Sequence, residues 1–369
     1  MRSRRAWPLV ALIVAAAAGG LEGQAPVALF PITVDDKHGM IDRDGKVVIP
    51  PEYVEPMTFR DGLARVARGN KVAYLDAGGR FVIAPQDAAR EPFAEGLTPA
   101  LGRDAAGKVS WGYIDRTGAF AISPRFADAK PFSDGLAQVG APDQWGEMRY
   151  GYADKTGRLV VPARYEKAFP FSAGLARVEV DKRPRVIDRT GADVTPAGID
   201  FIGIAAEGLY RVWSGRQQGF MDGTGRVVIP PRFDQAREFS DGLAVVWLTG
   251  KIGYVDHQGK MVIAPQWEVA DDFADGRAAV KIGDKYGYID KTGALVIPAM
   301  LDRGMKFSEG LAAAKLGQYY GYLDRAGTWV ISPRFVWVRP FHQGLAFVGP
   351  PRSRGNYIDP TGRVVWTSP

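Results

Sequence analysis

Between Gly112 and Gly140 the chain reads GYIDRTGAFAISPRFADAKPFSDGLAQVG. Two short apolar runs flank a polar Asp-x-x-Gly. A proline with an aromatic behind it follows, then a Ser-Asp-Gly turn and a third apolar run. Short apolar runs bounded by turn residues predict strands. Asp-x-x-Gly between two of them predicts a hairpin: the aspartate accepts backbone N–H groups and the glycine takes the positive φ that ends the turn. The proline eight or nine positions past that aspartate (Pro124, Pro162, Pro230, Pro265, Pro333) lacks a ladder donor and predicts the end of the second strand. The aromatic after it (Phe126, Tyr165, Phe233, Trp267, Phe335) is expected to plug the linker onto the sheet. Sustained helical periodicity is confined to an apolar run near the start, although linkers such as ADAKPF have room for a short helical turn.

The pattern recurs. With the aspartate of YID as anchor, it returns at Asp42, Asp76, Asp115, Asp154, Asp188, Asp222, Asp256, Asp290, Asp324 and Asp359. The step from Asp42 to Asp76 is the standard one. The steps from Asp76 to Asp115 and from Asp115 to Asp154 are each longer by five, and the last is longer by one. Glycine follows every anchor three positions on. Phenylalanine follows the first nine at the seventeenth position, with Ala205 the one exception, and glycine follows those nine at the twentieth. A single unit cannot cover its own apolar face, so stability must come from contacts between units. Leu29 precedes Asp42 as Leu63 precedes Asp76, and the chain ends on the hairpin NYIDPTGRVVW. Ten whole units result, with no strand shared between the termini. Closed rings are often locked by such sharing. The expected architecture is therefore all-β, a tandem array of ten three-stranded antiparallel units, forming an open superhelical or solenoid-like stack; a closed propeller-like ring is the alternative.

The segments WGYIDRTG (Trp111 to Gly118), YGYADKTG (Tyr150 to Gly157), YGYIDKTG (Tyr286 to Gly293) and YGYLDRAG (Tyr320 to Gly327) resemble the bacterial WG, or KWG, β-repeat family. The resemblance covers essentially the whole array, though the namesake tryptophan stands only at Trp111. It implies tandem β-repeats frequent in envelope and secreted bacterial proteins, mostly of unassigned function and with no shared catalytic residue.

Positions 1–25 read as a signal peptide: basic MRSRR, an apolar run from Ala6 to Ala18, then small residues with cleavage expected after Ala25. A spanning helix needs about 20 apolar residues, more than this run supplies, so stable membrane insertion is not expected. SRRAW loosely resembles a twin-arginine signal, with Pro8 where leucine is usual. The array then occupies 26–369. Without cysteine there is no lipid-anchor thiol, disulfide or thiolate metal site. Loss of the leader leaves 44 basic and 40 acidic side chains, a scattered net +4 that does not suggest nucleic acid. These features fit a periplasmic or secreted protein.

Candidate chemistry is sparse. His38, His257 and His342 occupy three different repeat positions, and no metalloprotease helix, nucleophile elbow or phosphate loop occurs. DRDG at Asp42 imitates the start of a calcium loop, but Tyr53 stands where the twelfth-position glutamate belongs, so it reads as a turn. The anchor aspartates would line one edge of a stack, neutralised by the adjacent Arg43, Arg116, Lys155, Arg189, Lys291 and Arg325. No catalytic residue, metal or cofactor is expected. The two longer intervals carry their extra residues in LGRDAAGKVSW (Leu101 to Trp111) and GAPDQWGEMRY (Gly140 to Tyr150). Neighbouring insertions project side by side from an array, and Trp and Arg dominate binding hot spots. Arg103, Trp111, Trp145 and Arg149 are the ligand-binding candidates. The fifth interval is degenerate, with Pro184, Arg185 and Ala205 off pattern, and marks a candidate bend over 184–210.

The expected function is a non-enzymatic exported scaffold that binds protein or cell-envelope polymer. The alternatives are a carbohydrate-acting enzyme with paired carboxylates on a concave face, and a structural spacer.

Overall fold

The computed structural model describes residues 28–68, 71–86, 91–349 and 355–369; the leader expected over 1–25 lies outside them. The described residues form ten small antiparallel sheets in sequence order, the blades of a β-propeller. The ninth blade is typical: Arg303–Ser308, Leu311–Leu316, Tyr319–Asp324 and Trp329–Phe335, paired in that order. Its first strand is the linker from the preceding blade. The linkers therefore form strands where a helical turn was allowed for; ADAKPF lies largely within Asp128–Ser133.

The proline does not end the preceding strand either. Leu159–Tyr165 runs through Pro162 to its aromatic. The ladder shifts register between Tyr152↔Val161 and Tyr150↔Tyr165, so the missing N–H falls in a bulge. The bulge also explains the glycine of the recurrent Gly-Tyr. A Cβ on Gly151 would come within 2.4 Å of the Val161 carbonyl oxygen. At all ten anchors the aspartate Oδ1 accepts the N–H groups two and four positions on, as at Asp290 from Thr292 (2.9 Å) and Ala294 (3.1 Å). Asp42 does the same with Asp44 and Lys46, which makes DRDG a turn.

Neighbouring blades are joined by a repeated clasp. The tyrosine two positions before an anchor meets the phenylalanine seventeen positions after it, on the next blade's linker. Tyr288 and Phe307 have ring centroids 5.1 Å apart, Tyr322 and Phe341 4.8 Å, Tyr152 and Phe171 4.6 Å, all edge to face. The buried hydroxyl of the same tyrosine donates to a linker carbonyl: Tyr288 to Met305 (2.7 Å), Tyr322 to Arg339 (2.6 Å), Tyr152 to Phe169 (2.7 Å). One side chain thus fills the seam and satisfies a backbone group that burial would orphan.

Ten apolar clusters occupy ten seams, and the tenth joins the last blade to the first. It contains Phe30, Ile32 and Ile41 from one end of the chain with Leu345 and Tyr357 from the other. Arg43 Nε donates to the Gln343 carbonyl at 2.8 Å and Tyr357 Oη to the Pro31 carbonyl at 2.8 Å. An open stack of ten would have nine seams, so the open arrangement gives way to its alternative, a closed ring. Among the described residues no strand is shared between the first and last blades. Closure rests instead on side chains: Phe30 meets Tyr357 at 5.7 Å in place of a linker phenylalanine.

Two rows of carboxylates result, and the basic residues beside the anchors serve the other one. Lys291, next to anchor Asp290, reaches Asp241 of the preceding blade at 2.8 Å, and Lys155 likewise reaches Glu95 at 3.2 Å. Asp241 also accepts the Gly276 N–H (2.6 Å). The anchors are paired instead by the arginine four positions on, at Asp76, Asp154, Asp222 and Asp359. Where the second row loses its acid at Ala173 it also loses the base, at Gly223, and the two positions touch.

At Asp115, Asp154, Asp188 and Asp290 the threonine hydroxyl two positions on, with the turn N–H groups, holds the carboxyl below its usual range. At Asp359 burial pushes upward, but bonds from Thr361 and Arg363 outweigh it and bring the value from 3.8 to about 2. A folded pKa below the unfolded one adds stability that is present above the unfolded value and lost as pH falls through the folded one. Thermal melts should therefore be flat above pH 3.8 for this group and fall toward pH 2, and Asp359→Asn should shallow that decline. Urea unfolding should register about 1 kcal/mol for Tyr288→Phe, which removes one buried hydrogen bond. Phe307→Ala should cost more, about 3–5 kcal/mol, because it leaves a void in the seam.

Candidate functional site

The two insertions lengthen one hairpin each, on the third and fourth blades. Their strands are Thr98–Arg103 with Val109–Ile114, and Leu136–Pro142 with Met148–Asp154. Successive turns of an antiparallel meander alternate ends, so these tips lie at the opposite end of the blades from the anchors. Each tip repeats the anchor chemistry. Asp104 Oδ1 accepts from Ala106 and Lys108, both at 2.9 Å, and Asp143 Oδ1 from Trp145 (2.9 Å) and Glu147 (3.0 Å).

Of the four ligand-binding candidates, three are engaged by the fold itself. Arg103 Nη1 donates to the Gly107 carbonyl of its own tip at 2.7 Å. Trp111 is half-buried against the cluster of Tyr113, Phe126 and Phe132. Arg149 Nε is 3.0 Å from Asp143 Oδ2 and half-buried. Trp145 alone stands out, 76% exposed. No hydrogen bond or ion pair joins the Arg103–Trp111 pair to the Trp145–Arg149 pair among the described residues.

A different place offers a cavity. At the seam of the fifth and sixth blades Val186 holds the tyrosine position of the clasp and Ala205 the phenylalanine position. Two rings are missing, and a cleft of about 300 Å³ opens there, lined by Phe169, Phe171, Arg177, Ile202, Ile204 and Tyr210 among others. The fifth blade, Lys167–Ala168, Leu175–Val180 and Arg183–Asp188, also lacks the outer strand. Val194 and Thr195 instead cap Val186 through its carbonyl and N–H, and Pro184, which has no N–H, blunts the rest of that edge.

Arg177 on the cleft wall is the start of an aromatic and cationic cluster that continues beside the cleft. The Arg177 guanidinium lies 4.6 Å from the Phe169 ring centroid and 5.3 Å from that of Phe201. Phe201 meets Trp213 edge to face at 5.0 Å, and Arg211 lies 4.6 Å over Trp213. Phe169, Phe201 and Ile204 are 41, 46 and 70% exposed. Inside, burial pushes the Tyr210 hydroxyl up to about 12; it faces the Leu175 backbone but makes no hydrogen bond of good geometry. The sequence carried the signal for this cleft in Ala205, the single break in the phenylalanine series. Read with Val186, it is a pair of missing rings and hence a void.

Ten blades around a closed ring, with hairpin anchors at Asp-x-x-Gly, define a tandem β-repeat propeller. The family model described as WG containing repeat matches residues 39–71, 111–140, 150–183, 219–251, 252–286, 286–320 and 320–349, and the chain belongs to this family. Among curated proteins no match is found. Similar solved structures include Hsv2 of Kluyveromyces lactis, at 12% identity over 63% of this chain and 92% of that one, TM-score 0.31. The extracellular domain of a one-component system from B. thetaiotaomicron is similar at 8% identity, over 91% and 64% of the two chains, TM-score 0.25. Dihydro-heme d1 dehydrogenase NirN in complex with DHE is similar at 13% identity, over 95% and 74%, TM-score 0.33. These likenesses carry no argument about function. No helix among the described residues is long and apolar enough to cross a membrane.

Trp145→Ala combined with Arg149→Ala should leave the thermal unfolding midpoint nearly unchanged. The first side chain is largely exposed, and an ion pair near the surface, such as that of the second, is worth about 1 kcal/mol or less. A large drop would show that the tip supports the blade.

Proposed function

We propose that this protein is an exported, non-enzymatic binding scaffold whose partner seats an apolar side chain in the cleft between the fifth and sixth blades. The observation that carries the reading is the coincidence of an unfilled clasp with exposed Phe169 and Ile204 on its wall, and with exposed Phe201 next to them across Arg177. Large exposed apolar residues gathered around a cavity mark interaction sites more often than chance, and arginine held between rings presents charge without needing to be ordered on binding. A protein is the favoured partner, with a cell-envelope polymer second. Export rests on the leader read over 1–25.

The two rows of carboxylates serve the fold. The anchor acids spend Oδ1 on their own turns, and Asp61, Asp134, Asp241 and Asp275 spend an oxygen on the next blade's glycine N–H.

Val186→Tyr with Ala205→Phe rebuilds the missing clasp and so fills the cleft without removing a contact. Affinity capture from envelope extracts with both proteins tests the reading. The expected outcome is a partner held by the native chain and lost by the filled variant, whose melting temperature is equal or higher. Capture unchanged by filling the cleft would overturn it.

A further inference from the structure

The closing seam holds a second cavity, of about 460 Å³, independent of the first. Elsewhere a linker residue is interposed between the clasp tyrosine and the next blade: the Arg339 carbonyl accepts from Tyr322 Oη while its N–H donates to the Phe347 carbonyl. At the closing seam Tyr357 bonds directly to the Pro31 carbonyl, which bypasses that residue. Space remains beside this bond, between Pro31–His38 of the first blade and the aromatic residues of the tenth.

Its two sides differ in chemistry. One is a run of aromatic rings: Phe347 and Tyr357 lie 4.7 Å apart, and Tyr357 and Trp366 6.1 Å. The other carries Asp35 and Asp36, adjacent at a hairpin tip with φ of 48° and 59°, while Arg339 also lines the cavity. His38 Nδ1 is tied to Thr33 Oγ1 at 3.1 Å. Among the described residues no hydrogen bond or ion pair engages either carboxylate or the Arg339 guanidinium, in contrast to the anchor carboxylates of the ring.

We propose that this cavity binds a hexose-sized saccharide unit. Such a ring has apolar C–H faces that suit the aromatic wall, and hydroxyls that both donate and accept. The carboxylates only accept and the guanidinium only donates, so the cavity supplies a partner for each role. A wholly apolar ligand would bury two carboxylates and a guanidinium without partners. An anionic ligand would meet two carboxylates against one guanidinium. The cavity has the size of an ordinary small-ligand site, roughly 300–1,000 Å³.

Titration calorimetry of the full-length protein, as expressed, with glucose, glucosamine and glucuronic acid tests this. Saturable binding of glucose and glucosamine is expected, with glucuronic acid weaker by about tenfold, equivalent to about 1.4 kcal/mol. Asp35→Asn with Asp36→Asn should weaken glucose at least about tenfold at an unchanged melting temperature, because asparagine accepts this backbone conformation. Arg339→Met should weaken it too. Binding of none of the three sugars, or glucose binding that the double variant leaves unchanged, overturns the proposal. The filled variant Val186→Tyr, Ala205→Phe should bind glucose normally, so failure at this seam and failure at the other are separable.

Discussion

Each blade depends on a tyrosine that belongs to its neighbour as much as to itself. The ring of Tyr288 packs edge-on against Phe307 of the next blade, and its hydroxyl donates to the Met305 carbonyl beside it. The linker strand is thereby fixed from behind before it pairs with its own sheet. Because most blades supply the tyrosine and receive the phenylalanine, no blade is complete alone, and the array is held by nearest-neighbour contacts. Closure follows from the same interaction with its parts exchanged. Phe30 stands in for the linker phenylalanine and Pro31 for the linker carbonyl, so the first and last blades meet through side chains.

Polar groups are accounted for in the same modular way. Each anchor aspartate satisfies two N–H groups of its hairpin, and acids of the second row satisfy a glycine N–H on the following blade. Arginines of the outer strands extend the pattern: Arg164, Arg232 and Arg334 each donate to the carbonyl of the next hairpin's glycine, at 3.0, 2.6 and 2.8 Å. At Ala173 and Gly223 acid and base are lost together and the two positions touch, whereas Arg43 keeps its charge opposite Gln343 by donating to that residue's carbonyl.

The candidate sites arise where this scheme is interrupted. Replacing a Tyr–Phe pair by Val186 and Ala205 removes two rings while the backbone, held by nine other seams, does not collapse to fill the gap. At the closing seam, direct contact from Tyr357 to Pro31 leaves space where a linker runs elsewhere. A regular repeat is a rigid frame, and its defects are the places with room for a ligand.

The repeating unit was legible in the chain. Ten anchors, the Asp-x-x-Gly turns, the hairpin strands and the membership of a repeat family could be read from spacing and motif alone, because those features rest on contacts between near neighbours in the chain. The chain also flagged Ala205 as an exception and located the two insertions. The rest depends on contacts between blades. Whether ten units make a stack or a ring depends on the small rotation from blade to blade, summed ten times, and no single unit encodes that sum legibly. The partner of Lys291 is Asp241 on the preceding blade, and not the adjacent anchor. Trp111 and Arg149 look like binding residues in the sequence but are taken up by packing and an ion pair. Val186 gave no warning by itself, since an apolar residue in a strand is unremarked until the ring it should have met is also missing.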